Sequence, residues 1–169
     1  RLIDSLLTSY GTNPRITNLL DKLEIWINPN ANPDGTYYTG NSSVSGARRN
    51  NANGYDLNRN FPSQPNGTNS APRQPETLAM MALAEGNHFV LSSNIHGGAE
   101  VMNYLWDLWS RLHPDNNWLV FISREYVDTA QYYSPAGYMT YLNNGITNGY
   151  AWYSVLGGRQ DYMTYFHQC

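Results

Sequence analysis

Apolar residues recur at helical spacing from the start of the chain. Leu2, Ile3, Leu6 and Leu7 share one face and stop at Gly11, and Ile16, Leu19, Leu20 and Leu23 resume the period after Pro14. Two short helices are predicted. The period then changes, because Leu23-Glu24-Ile25-Trp26-Ile27 alternates and runs into Asn28-Pro29, which reads as a strand ending at a polar rim. Asn32-Pro33-Asp34-Gly35 is turn chemistry. From there to about Thr68 the chain is dominated by Asn, Gly, Ser and Pro, with no apolar period. So long a structureless stretch inside a compact domain is usually functional. Gln74-Pro75-Glu76-Thr77 starts a helix through Leu78, Met81, Ala82 and Ala84 that Gly86 can end. Phe89 to Ile95 reads as a buried strand, Asn117 to about Thr129 as a further helix, and Gly145 to Tyr165 as loop-rich. The alternation of helices and strands predicts an α/β fold with helical crossovers.

Composition narrows the class. A chain of 169 residues fits a single domain, residues 1–169, and at about 150 residues a chain buries roughly 68–70% of its unfolded surface. Charged residues are only 14%, the formal net charge is -3, and Lys22 is the sole lysine. The arginines are scattered apart from Arg48-Arg49, so no basic patch for nucleic acid emerges. No stretch approaches the ~20 apolar residues of a membrane span. Cys169 is the one cysteine and cannot form an internal disulfide. Tyr and Asn richness with scarce lysine suits a secreted, periplasmic or cell-surface protein. Asn41-Ser42-Ser43 and Asn66-Gly67-Thr68 match the glycosylation triplet. The chain opens at Arg1 directly into a helical pattern, and an upstream segment is expected.

Chemistry concentrates at two places. His96 closes the apolar run and is followed by Gly97-Gly98, which lets another group approach closely. Ligands of open α/β sheets sit beyond the carboxyl ends of strands, where His96 is expected. A solitary histidine is nevertheless more often structural than a ligand. In the Asn-rich loop, Arg59 between Asn58 and Asn60 offers a planar guanidinium that can take both oxygens of a carboxylate, or can form an ordinary surface ion pair. Asp56 could itself partner an arginine.

Five segments then carry a resemblance. They are Asn32 to Gly35, Arg49 through Asp56-Leu57-Asn58-Arg59-Asn60-Phe61-Pro62, Gln74 to Thr77, His96-Gly97-Gly98-Ala99 through Val101 to Asp107, and Gly145 to Gly149 through Trp152-Tyr153 to Gly157-Gly158-Arg159-Gln160-Asp161-Tyr162. In this order they resemble the zinc metallocarboxypeptidases, within them the N/E-type regulatory branch. The resemblance implies a partial mixed β-sheet with flanking helices, a truncated zinc-carboxypeptidase (phosphorylase/hydrolase-like) fold. It further implies that His96 binds Zn2+, that Asn58 and Arg59 hold a substrate's C-terminal carboxylate, and that Arg49 polarises the scissile carbonyl. Tyr153 would close over the substrate, and Asp56 would accept a hydrogen bond from a ligating imidazole. Asp107 and Gln160 would shape a pocket for Arg or Lys side chains.

The family's His-x-x-Glu ligand pair has no match, since His88 and His113 lack a Glu three residues on. Its catalytic glutamate lies beyond the Gln160-Asp161-Tyr162 region. The expectation is therefore an internal fragment of a peptidase domain, inactive alone, whose partners are peptide or protein C-termini. Exposed sheet edges would favour homo-oligomers. Two alternatives stay open: a non-catalytic module that binds peptide carboxylates, and a family member cleaving cell-wall peptides or isopeptides.

Overall fold

The structure, a computed structural model, describes residues 1–63, 69 and 71–169. The triplet Asn66-Gly67-Thr68 lies outside the described residues. Helices α1 (Leu2–Ser9) and α2 (Pro14–Lys22) form where the period predicts them, and Asn13 caps α2 by accepting from the backbone N–H groups of Arg15 and Ile16. Helix α3 (Pro33–Thr36) is the Asn-Pro-Asp-Gly turn wound once, with the Asn32 side chain accepting from Gly35 N. A short 3-10 turn follows at Leu57–Arg59, capped by Asp56. Helix α4 (Pro75–Glu85) ends at Gly86 as its sequence predicts.

Strand β1 (Met102–Tyr104) and strand β2 (Ile146–Asn148) pair in parallel, Met102 opposite Ile146 and Tyr104 opposite Asn148. Helix α5 (Asn116–Tyr132) makes the crossover between them and packs on both, as a parallel pair requires. Its buried Val127 meets Met139 and Ile146, with Met102, Tyr104 and Val120 around them. The α/β class is as expected. The sheet is smaller than the pattern predicts, however. Residues 23–27 and 89–95 carry no regular structure, and among the described residues neither is paired in a strand. Alternation supplies the side-chain pattern of a strand, but a strand also needs a hydrogen-bonding neighbour. Val90 and Ile95, expected to be buried, are 83% and 90% exposed.

The region read as loop-rich holds regular structure. After α6 (Tyr141–Gly145), whose Leu142, Asn143 and Asn144 have positive φ and make a tight reversal, come β2, α7 (Gly149–Trp152) and α8 (Arg159–His167). Helix α8 escapes the periodicity because it buries three successive residues, Asp161, Tyr162 and Met163. Tyr162 and Met163 join Phe61 and Ala84 in a second core, which clamps the Asn-rich loop between α4 and α8.

Candidate functional site

The Asn-rich loop is fixed by its own amides. Buried Asn51 donates to Gln74 Oε1 at 3.0 Å and accepts from the backbone N–H groups of Asn53 and Tyr55. Buried Asn60 accepts from Gln74 N at 2.8 Å and donates to Pro72 O. Each buried polar group thus finds partners, which turns a sequence without apolar period into a rigid platform. On that platform Arg49 Nε donates to Asp56 Oδ2 at 2.7 Å, and Arg59 Nη1 lies 4.0 Å from the same oxygen.

The first turn of α8 organises the opposite wall. Arg159 N donates to Asn58 Oδ1 at 3.0 Å, Gln160 Nε2 donates to Asp107 Oδ1 at 3.2 Å, and the Asp161 carboxylate accepts from the backbone N–H groups of Asp107 and Leu108, both at 2.9 Å. Gly157 precedes it with φ +76, and Phe61 N donates to its carbonyl at 3.0 Å. A side chain there would meet Arg59 O at 2.6 Å, so glycine is required by space as well as by φ.

Arg49, Asn58, His96, Asp107, Tyr153 and Gln160 line one cavity of about 740 Å³. Six of the eight residues singled out by the sequence therefore meet at one place. Arg59 and Asp56 do not line it: the Arg59 guanidinium is turned to Asn58 O at 2.9 Å, and Asp56 stands behind Arg49. The proposed role of Asp56 as an imidazole acceptor has no counterpart among the described residues, because its oxygens accept from Arg49 and from Asn58 N. Tyr153 stands at the rim, 46% exposed and edge-on to Trp152.

The field inside the cavity is mixed. Asp107 is almost fully buried, and loss of water pushes its carboxyl above the usual range, against the Asn103 hydrogen bond and the positive charges of Arg59 and His96. Partial burial, then the nearby Arg49 cation, lowers His96, with Asp56 and Asp107 opposing. A neutral imidazole keeps a lone pair for ligation or hydrogen bonding. Sequence reasoning missed two members of this set. Asn103 donates to Asp107 Oδ1 at 2.9 Å while its own Oδ1 is buried without a partner among the described residues. Asp161 had no assigned role, and only its place beside Gln160 could have pointed to it.

Space under Asp107 depends on Gly149. A Cβ there would sit 1.9 Å from Asp107 Oδ1 and 2.9 Å from Asn103 Oδ1. Gly149→Ala is expected to cost about 2 kcal/mol of unfolding free energy by overpacking, measured by urea titration. Wild-type stability in that variant would count against the packing described.

Comparison with known proteins identifies the scaffold. A family model described as zinc carboxypeptidase matches residues 1–169.

The chain belongs to the zinc carboxypeptidase family.

Carboxypeptidase M of Mus musculus is 39% identical over 99% of the chain and 41% of its own length. Carboxypeptidase D of Anas platyrhynchos is 41% identical over 95% of the chain and 12% of its own length, and the carboxypeptidase N catalytic chain of Mus musculus is 37% identical over 92% and 41%. These relatives place the chain with the N/E-type branch. The chain spans less than half the length of each of these three relatives. Zinc is the cofactor of the zinc carboxypeptidase family. His96 lines the cavity, as do His113 and Cys169, but among the described residues no three His, Cys, Asp or Glu side chains are grouped to hold a metal ion. A catalytic zinc takes three protein ligands, so these residues alone do not form its site. No helix among the described residues is long and apolar enough to cross a membrane.

Proposed function

We propose that this chain supplies the substrate-binding wall of a zinc-dependent carboxypeptidase that hydrolyses the C-terminal residue from peptides, with Arg or Lys as the favoured residue. The observation that carries this reading is the shared cavity, in which amide, imidazole and guanidinium groups face a buried carboxylate. Asn58, with Arg59 turning from Asn58 O, holds the peptide's terminal carboxylate through charge-assisted hydrogen bonds. Arg49, its Nε fixed by Asp56, presents its remaining N–H groups to the scissile carbonyl, where a fixed cation is worth most as negative charge develops. Tyr153, already at the rim, covers the bound residue. Asp107 receives the basic side chain, with Gln160 and Asn103 fixing its carboxylate.

The direct test is binding. Acetylated peptides ending in a free carboxylate are expected to bind the purified chain at least about tenfold more tightly than their C-terminal amides, the value of one hydrogen bond to a charged group. Arg59→Gln is expected to remove that difference. Equal affinity of acid and amide would overturn the reading. Because a full metal site needs donors beyond His96, the chain in micromolar zinc is expected to hold less than one equivalent and to release no C-terminal residue; metal analysis and a peptide-release assay check both. We place the protein outside the cytoplasm, secreted, periplasmic or at the cell surface, on its tyrosine-rich, lysine-poor composition. Self-association through segments 23–27 and 89–95 is proposed as well, since Val90 and Leu91 are exposed and neither segment is paired in a strand among the described residues. Light scattering showing only monomer would refute it.

A further inference from the structure

The geometry points to Arg159 as a positioning residue that locks the segment bearing His96 to the carboxylate-binding wall. Its backbone N–H donates to Asn58 Oδ1 at 3.0 Å, and its side-chain Nη1 donates to Asn94 Oδ1, two residues before His96. One residue therefore spans two sides of the cavity that lie far apart in sequence, since Asn58, Asn94 and His96 all line it.

Two observations give this bridge its weight. Residues 89–96 carry no regular structure and no paired neighbour among the described residues, where the bond of Asn94 to Arg159 is the one side-chain hydrogen bond of that stretch. What a sheet ladder does elsewhere, the Asn94–Arg159 contact does here. Second, the Arg159 guanidinium is drawn out of water with no carboxylate in ion-pair range among the described residues, and its Nε is buried without a partner. Arg159 is half-buried, and the charge that favours it, at Cys169, lies outside ion-pair range, so charge pairing accounts for little of its placement. A planar, rigid donor fork reaching Asn94 does explain it.

This inference rests on the reading of Asn58 and His96 as one site, and its test is separate from peptide binding. In the chain labelled at histidine, with the His96 ring signal assigned through His96→Gln, Arg159→Met is expected to shift and broaden that signal while His88 and His113 stay in place. Amide exchange over 92–97 should rise at least about tenfold relative to α5, as local opening without global unfolding predicts. Arg159→Lys should restore part of both effects, and Asn94→Ala should reproduce them with Arg159 intact. A folded Arg159→Met whose His96 signal and exchange match wild type overturns the proposal. If that variant unfolds, Asn94→Ala decides, and an unmoved His96 signal in it overturns the proposal equally. Failure of acid-terminated peptides to bind the wild type would instead strike the proposed function and leave these readouts intact.

Discussion

Asp107→Asn is expected to lower the preference for peptides ending in Arg over those ending in Phe about a hundredfold, or ~2.7 kcal/mol. The argument begins with desolvation. Asp107 is 3% exposed, and the fields of Arg59 and, when protonated, of His96 leave its carboxyl raised rather than lowered. A carboxylate in that state has lost most of its water and, among the described residues, holds neutral amide donors but no cation in ion-pair range, so a guanidinium arriving from a substrate meets an acceptor that needs it. Asparagine keeps the shape and removes the charge. Calorimetry with acetylated peptides on the wild type and the variant measures the ratio directly, and Phe-ended peptides should bind both alike. The pH dependence has a definite sign. Because the carboxyl is raised, the preference is full at alkaline pH and fades on acidification sooner than for an exposed aspartate. An Arg preference that survives in the Asp107→Asn variant would remove Asp107 from the specificity pocket.

The residues themselves show why part of this architecture is legible from sequence and part is not. Helices α1, α2, α4 and α5 announce themselves because periodicity and caps are local properties, written within a dozen residues of each other. The strands at 23–27 and 89–95 were misread for the opposite reason, since pairing is a property of two segments and a single segment cannot reveal whether its neighbour is there. Helix α8 escapes the sequence pattern because it faces two demands at once: Tyr162 and Met163 fill a core, while Arg159 holds the segments at Asn58 and Asn94 and both Gln160 and Asp161 hold the loop at Asp107. That double duty erases the amphipathic stripe. The gathering of Arg49, Asn58, His96, Asp107, Tyr153 and Gln160 was legible only through a resemblance spanning the whole chain. No local pattern links position 49 to position 160. The orientation of Arg59 was not legible at all, because a guanidinium between two asparagines can turn outward or back onto its own backbone, and here it turns to Asn58 O.

Between pH 4 and pH 7.5 the fold is expected to lose about 2.4 kcal/mol through Asp161 alone. Burial pushes its carboxyl from 3.8 up to about 6, a rise that the charge of Asp107 adds to and that the N–H groups of Asp107 and Leu108 only partly offset. For an acid raised in the folded state, the folded chain holds the proton more firmly than the unfolded one. The contribution is therefore fully present below about 3.8 and disappears as pH rises through about 6. Asp107, also raised, acts in the same direction. Asp161→Asn separates the charge from the hydrogen bonds. Its amide can accept from one of the two backbone donors and must turn an N–H toward the other, which costs about 1–3 kcal/mol at every pH. At pH 4, where wild-type Asp161 is largely protonated, the variant should be clearly the less stable. At pH 7.5 the wild type carries the buried charge and the variant does not, so the gap should shrink by about 2.4 kcal/mol and can change sign. Urea titrations of both proteins across that range measure the gap. A gap independent of pH would mean that Asp161 is solvated in the folded chain, and the anchoring of Asp107 by α8 would have to be looser than the two 2.9 Å bonds describe.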